Sequence, residues 1–215
     1  MAIKGNIKLN SLDSSQLINA IESFSVSLNL NIETINALNV FPVPDGDTGT
    51  NMYLSIKYIL ENLDEEDSEK PINSLAKDIA KLSLLGARGN SGLILSQFFK
   101  GLSQSLENKN ILDSNSFAKC LEYATKNAYD SLHNPVEGTM ITVFRECADQ
   151  AKIEITKNSN LSELISNVTK TSIESVRNTP KLLPVLDEAD VIDSGGFGFL
   201  VILSAFSNFI NQDKS

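Results

Sequence analysis

The sequence predicts an all-α fold, and three observations carry that prediction. Apolar residues recur at intervals of three and four along almost the whole chain, the spacing of one buried helical face. The connections between these periodic segments are short and charged. The final apolar run, Gly195 to Ile210, is too long for a typical strand and carries Ser204, Ser207 and Asn208, so it too reads as a helix.

Taken in order, Ser14 or Ser15 is expected to cap a first helix through Leu17, Ile18, Ile21, Phe24 and Leu28, with a short second one near Ile32 to Leu38. Helices then follow near Thr48 to Leu63, Ile72 to Leu85, Ser91 to Leu106, Ser114 to Leu132, Thr139 to Thr156 and Leu161 to Arg177. Glu61 to Lys70, rich in Asp and Glu, reads as a solvated connection, and so does Asn108 to Asn115. The last helix, with Phe197, Phe199, Leu200, Val201, Ile202, Leu203, Phe206 and Phe209, is expected to be buried on most sides, in the centre of a helical assembly or against another domain.

At 215 residues, 41% hydrophobic and 21% charged, the chain is suited to one sizeable core, and residues 1–215 are read as a single domain. Lys and Arg total 18 against 27 Asp and Glu, a net charge of −9, which argues against a nucleic-acid surface and leaves no polybasic patch for a membrane. Cys120 and Cys147 are too few for a disulfide scaffold and lie on apolar helical faces, as buried thiols in a reducing compartment do. Met1 to Asn10 has no apolar run of the signal-peptide type, and no stretch reaches the ~18 apolar residues of a membrane span. The expected location is the cytoplasm.

The chemistry concentrates in Asn39 to Met52, which places Asp45 and Asp47 one residue apart in a tight turn. Two carboxylates this close repel, and a hard divalent cation between their oxygens relieves the repulsion; Mg²⁺ prefers such ligands. Thr48, Gly49, Thr50 and Asn51 then open a helix, whose free N–H groups, with Gly46 and Gly49 allowing close approach, can cradle phosphates. The same turn can also be a solvated connection whose Asp caps the next helix. An EF-hand is excluded, because a calcium loop starting at Asp45 needs Gly where Thr50 stands and Glu where Ile56 stands.

A second glycine-rich turn, Gly86 to Gly92, reads either as a C-cap followed by an N-cap or as a phosphate site. Arg88 favours the latter, since a guanidinium there can pair with phosphate oxygens or neutralise charge developing in transfer, and Ser91 can donate to the same oxygens. It is not a P-loop, since no Gly-Lys-Ser or Gly-Lys-Thr follows. His133, the single histidine, reads as solvated at a helix end. Asp193 is placed to cap the last helix.

These motifs, in this order, with Pro135-Val136-Glu137-Gly138-Thr139 and Asp193-Ser194-Gly195-Gly196 completing the set, resemble the nucleotide-binding domain shared by bacterial fatty acid kinases and the dihydroxyacetone kinase L subunit. The likeness spans nearly the whole chain. The run Val43-Pro44-Asp45-Gly46-Asp47-Thr48-Gly49-Thr50-Asn51-Met52 looks like the fatty acid kinase branch, because the dihydroxyacetone branch carries His where Thr48 stands. The resemblance implies a barrel-like bundle of about eight antiparallel helices with the nucleotide at one end. It implies ATP or ADP with one or two Mg²⁺ held by Asn39, Asp45 and Asp47, and catalytic roles for Asp45, Asp47 and Arg88. Thr48, Gly49, Thr50, Asn51, Ala87, Arg88, Asn90 and Ser91 would surround the phosphates, with Gly138, Thr139, Met140, Asp193, Ser194 and Gly195 on the base or ribose side.

By the same resemblance the chain is the N-terminal part of a longer kinase. That kinase phosphorylates a fatty acid carboxylate, presented by a separate fatty-acid-binding protein, to give an acyl phosphate. A homodimer is compatible with this reading. The alternatives are a dihydroxyacetone-kinase-like small-molecule phosphotransferase subunit and a nucleotide-sensing module without turnover.

Overall fold

The computed structural model describes residues 9–211, and the expectation for Met1 to Asn10 therefore lies mostly outside the described residues. Its helices are α1 (Ser14–Ala37), α2 (Thr48–Glu61), α3 (Ile72–Leu85), α4 (Gly89–Ser105), α5 (Ser114–Ser131), α6 (Met140–Thr156), α7 (Leu161–Leu182), the single turn α8 (Pro184–Glu188) and α9 (Ser194–Asn211). Each long helix packs on the next through α7, α7 packs on α9, and α9 returns to α1, which closes the ring. The eight long helices thus alternate in direction, the barrel-like bundle expected. The first turns of α2, α4, α6 and α9 and the last turns of α1, α3, α5 and α7 share one end.

α9 is the centre of the core. Phe199 meets Phe144 of α6 at 4.4 Å between ring centroids and Phe98 of α4 at 5.6 Å, and Phe206 meets Phe24 of α1 at 5.5 Å and Phe117 of α5 at 5.3 Å. Contrary to the expectation that no segment is apolar enough to span a membrane, α9 is so by length and composition, yet 61% of it is buried among the other helices.

Several boundaries differ from expectation by a residue or two, and the larger differences have physical reasons. α1 is one helix, not two, since neither Gly nor Pro interrupts the chain between Asp13 and Asn39. Its cap is Asp13, in a capping box with Gln16, while the Ser14 hydroxyl donates to the Lys70 carbonyl at 2.5 Å. α7 runs on to Leu182 through Pro180: the Val176 carbonyl, which Pro180 has no N–H to satisfy, accepts the Thr179 hydroxyl at 2.7 Å instead. The acidic connection before α3 contains a 3₁₀ turn, Glu65–Glu69, whose buried Asp67 pairs with Lys70.

Candidate functional site

A cavity of about 400 Å³ opens at the shared end, within the range of small-molecule sites. All four motifs reach it. From the first come Asn39, Asp45, Asp47, Thr48 and Asn51; from the second, Asn90 and Ser91; from the third, Thr139 and Met140; from the fourth, Asp193, Ser194 and Gly195. Phe41, Pro42, Val43, Gly89 and Val136, inside three of these motifs, complete the walls together with Ile94 on α4 and Leu132 and Asn134 before α6, which lie outside them. Ile94 was legible in principle, being one turn beyond Ser91 on the same helical face. Leu132 closes α5 and carries no motif signal.

The aspartate turn is braced from α1. Asn39, only 7% exposed, accepts on Oδ1 from the Asp47 backbone N–H at 3.2 Å and the Thr48 hydroxyl at 2.9 Å, and its Nδ2 donates to the Val43 carbonyl at 2.9 Å. Gly46, between the two aspartates, has φ +66°, a conformation that costs glycine nothing. The carboxylates of Asp45 and Asp47 themselves make no hydrogen bond or ion pair with described residues, and both face the cavity. Two unengaged carboxylates suit Mg²⁺, which binds through one or two such groups plus phosphate and water. No group of three or more His, Cys, Asp or Glu forms an all-protein cage among the described residues.

The helix start left open to the cavity is that of α4 more than that of α2. The Gly49 and Thr50 N–H groups, expected to face phosphates, donate to Asn36 Oδ1 at 2.8 and 3.2 Å, the Asn51 N–H closes onto the Asp47 carbonyl, and neither Gly49 nor Thr50 lines the cavity. An added Cβ at Gly49 would lie 2.6 Å from the Ile32 carbonyl oxygen, so this glycine serves helix packing rather than ligand approach. In α4 the cap residue Arg88 offers no side-chain acceptor, and the N–H groups of Gly89, Asn90 and Ser91 have no partner among the described residues. Gly89 is needed here twice over, for its φ of +57° and because a Cβ would meet Asn51 Nδ2 at 2.5 Å.

Arg88, assigned as the side-chain cation of the site, does not line the cavity. Its backbone is extended at φ −117°, its N–H donates to Ser55 Oγ, and its side chain is exposed without an ion pair among described residues. Ala87 likewise lies outside. Gly138 is buried at φ +84° against Leu183, its N–H bonded to Thr142 Oγ1, and it shapes the third loop without reaching the cavity. Glu137 holds that loop by accepting from Tyr129, Thr142 and Arg145. Burial opposes its ionisation, but these donors outweigh burial and keep its carboxyl below the ordinary range. His133 is exposed, and Cys120 and Cys147 are buried, with burial pushing both thiols up.

Among the described residues no Lys, Arg or His lines the cavity. Positive potential there comes from the helix starts, each equivalent to roughly +0.5 charge. Asp193 joins two of them: its carboxylate accepts from the backbone N–H groups of Gly196, at 2.6 Å, and Met140. Burial, opposed by those two bonds, raises its pKa from 3.8 to about 7. A group raised in the folded state contributes stability that is complete below its unfolded pKa and disappears as pH rises through the folded value. Metal-free protein should therefore lose on the order of 2 kcal/mol between pH 5 and pH 8 through this group. Thermal melts of wild type and Asp193→Asn across that range check it; the variant should lack this slope.

A DAK2-domain family model matches residues 42–208, and the chain belongs to the DAK2-domain family. It is 40% identical over 200 residues to "Protein YloV" of Bacillus subtilis, covering 93% of this chain and 36% of that protein. It is 41% identical over 180 residues to an uncharacterised protein of Staphylococcus saprophyticus, covering 84% of this chain and 32% of that one. The chain thus spans about a third of the length of these relatives. In fold it is similar to the dihydroxyacetone kinase of C. freundii in complex with AMP-PNP and Mg²⁺, with a TM-score of 0.68 at 16% identity over 96% of this chain and 36% of that one. The native form of the same kinase gives 0.61 at 18% identity over 97% of this chain and 36% of that one.

Proposed function

We propose that this chain is the ATP- and Mg²⁺-binding domain of a cytoplasmic kinase that phosphorylates a fatty acid carboxylate presented by a separate binding protein, giving an acyl phosphate. The observation that carries the nucleotide part is the meeting of the unengaged Asp45 and Asp47 with the uncapped start of α4 in one cavity. The Gly89, Asn90 and Ser91 N–H groups donate to phosphate oxygens, and the Ser91 hydroxyl and Asn51 amide stand beside them. Asp45 and Asp47 hold Mg²⁺, which when bound neutralises phosphate charge. The Asn39 amide keeps their turn in place, and Leu132, Val136, Thr139, Met140 and Gly195 form the wall for base and ribose.

The acyl branch is supported by Thr48 and by the make-up of the cavity lining. Thr48 stands where the dihydroxyacetone branch has His, and its hydroxyl is already donated to Asn39. Among the described residues no His, Lys or Cys lines the cavity to take a proton from an alcohol, Asp45 and Asp47 are read as the metal pair, and Asp193 is bonded at the start of α9. A carboxylate acceptor, by contrast, is already ionised and needs no base. The similarity in fold to dihydroxyacetone kinase favours, as a second reading, a small-molecule phosphotransferase subunit.

The isolated chain should bind ATP with Mg²⁺ by calorimetry yet form acyl phosphate slowly from a fatty acid on its binding protein. Holding the acceptor in line is worth roughly 7 to 11 kcal/mol in well-oriented reactions, and the isolated chain lacks that positioning. A chain of the relatives' full length should restore the rate. Rapid phosphorylation of dihydroxyacetone with no acyl transfer would install the second reading, and nucleotide binding without turnover in the full-length chain would leave a sensing module.

A further inference from the structure

Asn39, Thr48 and Ser194 lie just past the end of α1, at the start of α2 and at the start of α9, and are 7%, 7% and 3% exposed. The Ser194 hydroxyl donates to Thr48 Oγ1 at 3.2 Å, and the Thr48 hydroxyl donates to Asn39 Oδ1 at 2.9 Å. From Asn39 the chain branches: Oδ1 also accepts the Asp47 N–H, and Nδ2 donates to the Val43 carbonyl two residues before Asp45. We propose that Ser194, Thr48 and Asn39 form a positioning relay through which α9 sets the geometry of the carboxylates at Asp45 and Asp47. This rests on reading Asp45 and Asp47 as the metal-holding pair.

Each position has a chemical requirement. Residue 39 must accept twice and donate once; an Asp keeps the acceptances but sets a carboxylate oxygen against the Val43 carbonyl, so only an amide of this length completes the turn. Residue 48 must accept from Ser194 and donate to Asn39 at the same oxygen, which Ser can do and Val cannot. All three border the cavity yet are at most 7% exposed, so solvent has little room to remake a broken link. Ser194 and Thr48 are 146 residues apart in the chain, and the bond between them fastens the helix start beside the base wall to the metal turn. The relay therefore accounts for two motif residues, Thr48 and Ser194, by what they hold as well as by their place in the cavity wall.

The test is Mn²⁺ binding to the whole chain, read from the free-Mn²⁺ resonance, beside chemical denaturation of each variant. Thr48→Val and Ser194→Ala should each weaken Mn²⁺ roughly tenfold, the usual scale for losing a partner that orients a metal ligand. Thr48→Ser should bind like wild type. In the Thr48→Val, Ser194→Ala double variant the loss should equal that of Thr48→Val alone, because one broken link disconnects the relay. Wild-type Mn²⁺ affinity in cooperatively folding Thr48→Val, or strictly additive losses in the double variant, would overturn the relay. If Asp45→Ala also binds Mn²⁺ like wild type, the metal reading itself has failed, an outcome distinct from the first because Asp45 lies outside the relay.

Discussion

Replacing Asp45 and Asp47 together by Ala should abolish measurable Mg²⁺-dependent ATP binding while the metal-free protein melts at or slightly above the wild-type temperature. The two carboxylates make no bond that the fold needs, since the bracing of their turn passes through the Asp47 backbone and Asn39. Removing them takes away close like charges without leaving a buried donor unpaired. They are also the side chains that meet the charge of a metal–nucleotide complex, because among the described residues no cationic side chain lines the cavity. Calorimetric titration of ATP with and without Mg²⁺, alongside melts in chelator, measures both effects. A fall of many degrees in the chelator melt with ATP binding retained would make the pair structural and remove the basis of the kinase reading.

The fold was legible because periodicity, which the sequence shows plainly, is what makes a helical barrel. α3 matches its expected Ile72 to Leu85 span, and the errors lie where side chains overrule local signals: Asp13 in place of Ser14, and the Thr179 hydroxyl carrying α7 past Pro180. The site was legible as a set of turns but not as a set of directions. Which helix start remains open to a ligand depends on Asn36 reaching across from α1 to α2, a contact between residues 13 positions apart that no local motif announces. Arg88 has the right chemistry in the right turn, yet its extended backbone leaves it outside the cavity wall, and residue type alone does not encode that orientation. The apolar wall at Leu132 was hidden for the opposite reason, since an apolar residue at a helix end looks the same whether it faces the core or a ligand.

Glu154 shows the same limit where stability is concerned. In the sequence it looks like one more surface charge on α6, but it is 1% exposed and accepts from Gln150 at 2.8 Å, Lys157 at 2.9 Å, Ser159 at 2.7 Å and Asn167 at 3.0 Å, joining α6 to the start of α7. The Ser159 hydroxyl foremost, then Lys157 and Asn167, outweigh burial and bring its pKa from 4.5 to about 2. A carboxyl depressed in the folded state contributes stability that is complete above its unfolded pKa and is lost as pH falls through the folded value. Glu154→Ala leaves Ser159, Asn167 and Gln150 without their acceptor, while the exposed Lys157 turns to solvent, and loss of such a buried, charge-bearing partner costs about 3 kcal/mol or more, or roughly 6 to 12 °C in a domain of this size. The penalty should shrink as pH drops from 5 towards 2, where wild type loses the same contribution. Fourteen residues separate Glu154 from Met140 at the cavity, about 21 Å along the helix, so variant protein that is still folded should bind ATP and Mg²⁺ with wild-type affinity. A melting temperature at pH 7 within a degree or two of wild type would show that the donors find water, and that the α6–α7 junction is held by its apolar contacts alone.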